Sequence, residues 1–171
     1  AVDVLDGTAC IFSSYFLEKK LIDSVVVSPD VGGAKRAKKF ADAISADLAI
    51  MHKVRPEHNK AEIMDVVGSV EGRPCIIFDD MIDTAGSLIS AQKALQERNC
   101  SAVYAVATHA ILSGSATERL AQAEFEQIVV TDSIPAFDDS VSNLVRLPIA
   151  PYLARVIGRI QSGESVTQIS E

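Results

Sequence analysis

Short apolar runs alternate along the chain with segments in which apolar residues recur every three or four positions. Runs bounded by turn residues are typical of buried strands, and the longer spacing is typical of amphipathic helices. The predicted strands are residues 25–27, 48–51, 74–78, 102–108 and 127–130, with a possible incoming strand at 2–5. The predicted helices are residues 8–22, 33–45, 86–98 and 115–123, and a final one that Pro148 can start. Residues 63–70 fit either a strand or a short helix.

This alternation predicts an α/β fold with a mainly parallel sheet and helices on both faces. Ligands of such sheets bind at the carboxyl ends of the strands. In the final helix the spacing of Leu153, Val156, Ile157 and Ile160 predicts burial of all four, before a polar tail over residues 161–171.

Composition narrows the class of protein. At 171 residues, 48% hydrophobic, with no linker-like stretch, the chain is expected to form one domain over residues 1–171. A net charge of −7 argues against nucleic-acid binding. The apolar runs are far shorter than the roughly 20 residues that span a bilayer. Three cysteines, without C-x-x-C spacing, favour reduced thiols, so we expect a soluble cytoplasmic protein.

An acidic segment follows the third predicted strand. Asp79, Asp80 and Asp83 come directly after residues 74–78, and Thr84 to Ser87 open the next helix. Carboxylates can accept hydrogen bonds from a diol or hold Mg2+, and free N–H groups at a helix start favour a phosphate. The pattern therefore fits a sugar-phosphate site. An acidic strand end followed by an ordinary helix cap fits it about equally well.

Two further segments have polar character at predicted strand ends. Residues 28–35 place Asp30 and a glycine pair between a strand and a helix, where backbone can approach a ligand closely. A purely structural turn is the commoner explanation of such a Gly-Gly pair. Residues 51–60 carry three basic side chains besides two histidines, His52 and His58, which fits a solvated loop or a mobile lid.

Together these strings resemble a known family. D-D-M-I-D-T-A-G-S resembles the ribose-phosphate motif shared by type I phosphoribosyltransferases and ribose-phosphate pyrophosphokinases. S-P-D-V-G-G-A-K-R-A is similar to the pyrophosphate loop of the pyrophosphokinases, and K-V-R-P-E-H-N-K to their catalytic flexible loop. The resemblance extends to residues 129–135 and 163–166, and it implies the carboxyl-terminal domain of that family, with the type I phosphoribosyltransferase fold.

The resemblance implies roles for particular residues in transfer of the diphosphoryl group of ATP to ribose 5-phosphate. Lys53 and Arg55 would be catalytic, and Asp30 would hold Mg2+. The pyrophosphate loop would be Asp30, Val31, Gly32 and Gly33. Ribose 5-phosphate would bind Asp79, Asp80, Asp83, Thr84, Ala85, Gly86 and Ser87. Ser87 stands where the family usually has Thr, and Val54 where it usually has a basic residue. His109 would have a structural role.

The family has a second domain of the same fold before this one, and no sequence for it is present here. We therefore expect this chain to be weakly active or inactive alone. The resemblance also implies that the full-length protein forms a homo-oligomer. A nucleobase phosphoribosyltransferase would use the same acidic motif. The motif also fits a non-catalytic regulatory subunit or a sugar-nucleotide binding module.

Overall fold

The computed structural model describes residues 8–54, 63–135, 140–166 and 169. Five helices in these ranges are α1 (Thr8–Lys19), α2 (Ala34–Ile44), α3 (Gly86–Gln96), α4 (Ala116–Gln122) and α5 (Ala150–Ser162). The strands are β1 (Val25–Ser28), β2 (Asp47–Val54), β3 (Ile63–Val67), β4 (Pro74–Ile82), β5 (Ala102–Ala110), β6 (Gln127–Thr131) and β7 (Leu144–Leu147). The possible strand at 2–5 lies outside the described residues.

The seven strands form one sheet in the order β3-β2-β1-β4-β5-β6-β7. All neighbours are parallel except β2 and β3, which pair antiparallel with Ile50 opposite Val67. The mainly parallel sheet predicted from the sequence is confirmed, and the ambiguous segment is an antiparallel edge strand. The chain goes from β1 to β2 on one side and later returns to β4 on the other side of β1.

Apolar side chains alternate between two cores, one on each face of the sheet. Val26, Ile76 and Val106 pack with Phe12 and Phe16 of α1 and with Ala37 and Phe40 of α2. The other face of these strands packs against α3 and α4. That core contains the strand residues Val25, Val27, Cys75, Ile77 and Ala105 and the helix residues Leu88, Leu95 and Leu120. Both faces are therefore covered, as the alternation of strands and helices predicted.

Several predicted boundaries are wrong. Strand β4 continues four residues past Phe78, because β5 pairs with it as far as Ile82 opposite Ala110. Helix α1 ends at Lys19 instead of residue 22, since Lys20 takes a left-handed φ of 52° and Ile22 is 87% exposed. Strand β7 was not predicted, because its four residues are half-buried and include Arg146.

The burial predicted for α5 is wrong at three of four positions. Val156 is buried with Tyr152, Val166 and Ile169, whereas Leu153, Ile157 and Ile160 are 41%, 62% and 65% exposed. Apolar residues therefore occupy more of the circumference of α5 than the side that packs against other described residues. No helix in that part is long and apolar enough to cross a bilayer.

Candidate functional site

The predicted site loops meet at one edge of the sheet. Strands β1, β2 and β4 are parallel neighbours, so their carboxyl ends lie together, and β1 is where the chain reverses its direction across the sheet. Such a reversal leaves a crevice between the outgoing connections, which is the usual ligand site of open α/β sheets. The loop after β1 carries Asp30, and the last residues of β4 include Asp79 and Asp80. The fold therefore brings two of the predicted loops side by side.

Asp79 and Asp80 lie inside β4, not after it. Successive strand residues point to opposite faces, so Asp80 follows Ile76 and Phe78 toward α2, while Asp79 follows Ile77 toward the α3 side. The Asp79 carboxylate accepts a hydrogen bond from the Asp80 N–H at 2.8 Å. The pair therefore presents carboxylates to both sides of the strand end.

Asp79 is an unusual carboxyl group. Burial raises its pKa above the ordinary value, and the carboxylates of Asp80 and Asp30 add to that shift, while the hydrogen bond from the Asp80 N–H opposes it. Asp30 of the loop after β1 is thus one of the charges that act on Asp79. The site thus concentrates negative charge where solvent only partly screens it.

A cation from α2 joins this acidic edge. The Arg36 guanidinium forms an ion pair with the Asp80 carboxylate at 3.0 Å, and both side chains are about half exposed. In the sequence Arg36 belongs to a basic cluster typical of the solvated face of a helix. The structure instead ties this helix, which follows the predicted pyrophosphate loop, to the acidic motif.

The turn at residues 83–87 leads from β4 into α3. Ala85 has φ 61°, a left-handed conformation that is strained for alanine, and no side chain caps the helix that begins at Gly86. The first N–H groups of a helix lack acceptors within it and form the positive end of its dipole. Asp83, Thr84 and Ser87 are exposed beside them. This arrangement can bind an anion such as a phosphate.

Residues outside the acidic motif hold this turn in place. The Ser113 N–H donates to the Asp83 carbonyl at 3.0 Å, and the Arg119 guanidinium of α4 donates to the Thr84 carbonyl at 3.3 Å. Ser113 lies in the string that contains His109, to which the sequence assigned only a structural role. Arg119 belongs to no motif and lies 35 positions from its partner. Only the fold could reveal that α4 supports the turn at residues 83–87.

The loop after β1 is folded closely on itself. Asp30 accepts a hydrogen bond from the Gly33 N–H at 2.7 Å, and the Ser28 hydroxyl donates to the Asp30 carbonyl at 2.7 Å. A Cβ atom at Gly33 would lie 2.9 Å from the Ser28 hydroxyl oxygen, so glycine is needed there. Val31 and Gly32 are exposed at the tip. One carboxylate oxygen of Asp30 closes the turn, which leaves the other for a ligand.

The carboxylates fit a magnesium ion better than a metal with a closed protein cage. Within the described ranges no group of three or more His, Cys, Asp or Glu side chains could hold a metal. Mg2+ typically keeps several waters and uses one or two carboxylates together with substrate phosphates. Asp30, beside the acidic end of β4, has the oxygen chemistry for that role.

The predicted catalytic pair is only partly described. Lys53 lies in β2 opposite Met64, next to the end of the strand at Val54. Its side chain, Arg55 and His58 lie outside the described residues. His52 and Arg98 contact the Asp65 carboxylate at 3.8 and 2.7 Å, and the Nδ1 atom of His109 lies 2.9 Å from the Ser133 hydroxyl. Each of these two histidines therefore has a polar partner within the chain.

Comparison with known proteins identifies the family. The family described as "phosphoribosyl synthetase-associated domain" matches residues 55–170. The chain belongs to this family. It is similar to ribose-phosphate pyrophosphokinases from Oceanobacillus iheyensis, at 44% identity over 97% of this chain, and from Listeria ivanovii, at 45% over 94%. The family that the sequence motifs resemble is thereby confirmed.

Solved structures agree with this assignment. The phosphoribosylpyrophosphate synthetase of Mycobacterium smegmatis superimposes with a TM-score of 0.81 at 36% identity, over 91% of this chain and 51% of that one. The APRTase of Giardia lamblia shares the fold with a TM-score of 0.59 at 12% identity, over 84% of this chain and 77% of that one. The phosphoribosyltransferase fold predicted from the sequence is confirmed.

The chain spans about half the length of the curated relatives it matches, 52% of the Oceanobacillus protein and 51% of the Listeria protein. The match therefore assigns this chain to the family, but it covers only about half of each of these relatives. The roles of the individual site residues remain predictions.

Proposed function

We propose that this chain carries the sugar-phosphate half of a ribose-phosphate diphosphokinase, which converts ATP and ribose 5-phosphate to AMP and 5-phosphoribosyl 1-diphosphate. One observation supports this above the others. The Asp30 loop, the acidic end of β4 and the uncapped start of α3 share one edge of the sheet, and relatives that are 44% and 45% identical to this chain are named ribose-phosphate pyrophosphokinases. The β1–β4 crevice would be the acceptor site.

Ribose 5-phosphate would bind across this edge. Its 5-phosphate would take the N–H groups at the start of α3, with the hydroxyls of Thr84 and Ser87 as further donors. Asp79 and Asp80 would accept hydrogen bonds from the ribose hydroxyls, one from each side of β4. Arg36 would offset part of the charge that Asp80 adds to the site.

The transferred group would lie over the loop after β1. Mg2+, held by Asp30 and by phosphate oxygens, would neutralise charge on the diphosphoryl group. Backbone N–H groups of Val31 and Gly32 would approach the pyrophosphate, because Gly32 and Gly33 present no side chain, while the Gly33 N–H holds Asp30 in the loop. Lys53 and Arg55 would stabilise the charge that develops during transfer, once the site is closed to water.

Transfer also requires that both substrates be positioned together, which accounts for much of the rate of such reactions. We therefore propose that the chain binds ribose 5-phosphate but produces AMP from it only slowly on its own. Three free cysteines fit a reducing compartment such as the cytoplasm. In a longer protein the site would operate within a homo-oligomer.

Calorimetric titration with ribose 5-phosphate tests the binding half of the proposal. Loss of one hydrogen bond to a charged group costs about 1.5–3 kcal/mol, so Ser87→Ala should weaken binding roughly ten-fold or more. Ser90→Ala is the matched control, because Ser90 is also exposed on α3 but donates to the Gly86 carbonyl within the helix. Ribose, which lacks the phosphate, should not distinguish the two variants. Equal binding by both variants would contradict the assignment of the phosphate turn.

An assay with ATP, ribose 5-phosphate and Mg2+ tests the catalytic half. We expect AMP to form far more slowly than with a full-length relative. Turnover near that of the relative would show that this chain needs no second half. Phosphoribosyl transfer to a nucleobase in the absence of ATP would instead support a nucleobase phosphoribosyltransferase.

A further inference from the structure

The carboxyl ends of β5 and β6 are joined by polar side chains that the proposed function does not use. The Thr131 hydroxyl lies 2.6 Å from the Thr108 carbonyl oxygen and 2.8 Å from the Ser133 hydroxyl oxygen. The Ser133 hydroxyl in turn lies 2.9 Å from Nδ1 of His109 and 3.1 Å from the Thr108 carbonyl oxygen. Thr131 is fully buried, so its hydrogen bonds are made within the chain.

The number of hydroxyl hydrogens in this group determines where His109 carries its own hydrogen. A carbonyl oxygen cannot donate, so the contact of 2.6 Å requires the hydrogen of Thr131. The contact of 2.8 Å between the two hydroxyl oxygens then requires the hydrogen of Ser133. Because Ser133 has no second hydrogen, Nδ1 of His109 is the donor in the remaining short contact. In the neutral ring, a hydrogen on Nδ1 leaves Nε2 as an acceptor.

This acceptor is open to a ligand at the edge of the sheet that carries the proposed site. His109 is half-buried, and its Nε2 atom has no partner in the described part of the chain and is not fully buried. His109 lies on β5 opposite Met81 of β4, two residues along the strand from Asp79. The segment that follows reaches the phosphate turn, where the Ser113 N–H donates to the Asp83 carbonyl.

An imidazole nitrogen without a hydrogen selects a hydroxyl group. A hydroxyl can donate to Nε2, whereas an ionised phosphate oxygen would meet it lone pair against lone pair. The neighbouring acceptors at this edge are the carboxylates of Asp30, Asp79 and Asp80, whose charges also attract cations. Neutral His109 accepts a hydrogen bond without adding to that negative charge.

We infer that Nε2 of His109 accepts the hydrogen bond of the anomeric hydroxyl of ribose 5-phosphate. This inference rests on the proposed function, in which Asp79 and Asp80 accept hydrogen bonds from the other two hydroxyls of the sugar ring. The anomeric hydroxyl is the group left without an acceptor. A fixed acceptor for its hydrogen orients the oxygen to which the diphosphoryl group is transferred.

Nuclear magnetic resonance of the full chain labelled with 15N-histidine tests the ring directly, at about pH 8, where an ordinary imidazole is neutral. The His109 signals are assigned by their absence in His109→Asn. Nδ1 should carry hydrogen and Nε2 should not. Ribose 5-phosphate should shift the Nε2 signal saturably, whereas 1,4-anhydroribitol 5-phosphate, which lacks the anomeric hydroxyl, should bind without shifting it. A hydrogen on Nε2, or the same Nε2 signal with both ligands, would overturn the inference.

The variant His109→Asn separates ligand binding from a structural role. Its amide N–H can still donate to Ser133 from the position of Nδ1, but it offers no acceptor at the position of Nε2. Calorimetric titration should show ribose 5-phosphate binding weakened about two- to ten-fold, as for one lost hydrogen bond between neutral groups. Binding of 1,4-anhydroribitol 5-phosphate should be unchanged. An equal loss for both ligands would make the role of His109 purely structural and overturn the inference.

The two ligands also distinguish this inference from the proposed function. If the parent chain binds both with equal affinity and the Nε2 signal stays unchanged, the sugar-phosphate site stands and only the role of His109 fails. If the parent chain binds neither ligand, the proposed function fails and the inference fails with it.

Discussion

The fold disfavours the charged form of the Asp79 carboxyl group. Burial and two neighbouring carboxylates raise its pKa in the folded state, so the folded chain holds this proton more tightly than the unfolded chain does. Between the ordinary value of 3.8 and the raised folded value, increasing pH therefore costs stability at this position. Such an electrostatic cost to stability is expected where side chains are arranged to bind a ligand rather than to stabilise the fold.

Replacing Asp79 should reveal this cost. We expect Asp79→Asn to be more stable than the parent chain at pH 7 in metal-free buffer, because the variant has no carboxylate to bury. The gain should shrink toward zero below pH 3.8, where the parent carboxyl group is also neutral. Urea unfolding across this pH range measures it. The exposed Asp83→Asn is the control, and a gain that did not depend on pH would contradict the explanation.

The residues of the site differ in how far the sequence could reveal them. Asp30 and the segment from Asp79 to Ser87 lie in contiguous sequence motifs near strand ends. The sequence therefore indicated both the motifs and their positions. The contribution of Arg119 was not visible, and neither was the partner of Arg36, although Arg36 stands in the string after β1. A basic residue on a helix surface looks the same whether or not it has a distant partner. Arg36 pairs with a residue 44 positions away, and no local pattern encodes that separation.

At the scale of elements, the sequence predicted the central strands better than the edges. The three valines of β1 and the adjacent Ile76 and Ile77 of β4 are buried because both faces of those strands are covered. Strand β7 lies at the edge of the sheet and contains the charged residue Arg146, so it lacks the continuous apolar run that predicts a buried strand. In α5 the apolar pattern was visible, but periodicity alone could not show which part of the arc meets the core.

Gly68 fixes the junction between β3 and the rest of the sheet. It has φ 130°, and a Cβ atom there would lie 2.8 Å from the Ala49 Cβ on β2. Gly68→Ala should therefore cost about 3 kcal/mol or more, through backbone strain and a steric clash together. Gly72→Ala, at φ 70° with no atom within 4 Å, should cost only about 1 kcal/mol.

Denaturant unfolding of both glycine variants checks this comparison. The difference between them reports the contact with Ala49 together with the greater backbone strain at φ 130° than at φ 70°. Equal losses would mean that β3 moves away from β2 without penalty and that the edge strand is held loosely.

Helix α5 offers a second matched pair. Val156 packs in a small cluster with Tyr152, whereas the adjacent Ile157 is 62% exposed. Val156→Ala should destabilise the chain by about 2 kcal/mol. Ile157→Gln should change the free energy of unfolding by no more than about 0.5 kcal/mol. Thermal or urea unfolding decides, and a large loss for Ile157→Gln would show that this side of α5 is covered in solution.

For the whole molecule, the order of the strands explains why the site lies where it does. The two strands that end in acidic loops, β1 and β4, are adjacent in the interior of the sheet, and each contributes apolar residues to both cores. A rigid support of this kind holds loops in fixed relative positions. The sequence predicted the alternation of elements but not this order, because a strand's partner depends on packing between distant segments.

Hydrogen exchange of the intact chain tests whether stability follows this architecture. Amides of β1 and β4, such as those of Val26 and Ile76, should exchange slowest, because opening them disrupts both cores at once. Amides of β3 and α5 should exchange faster, since β3 is an edge strand and α5 packs through a small separate cluster. Mass spectrometry of peptides covering these elements gives the order. Protection of α5 equal to that of β4 would mean that the helix unfolds only with the sheet, and that the two cores and the α5 cluster form a single cooperative unit.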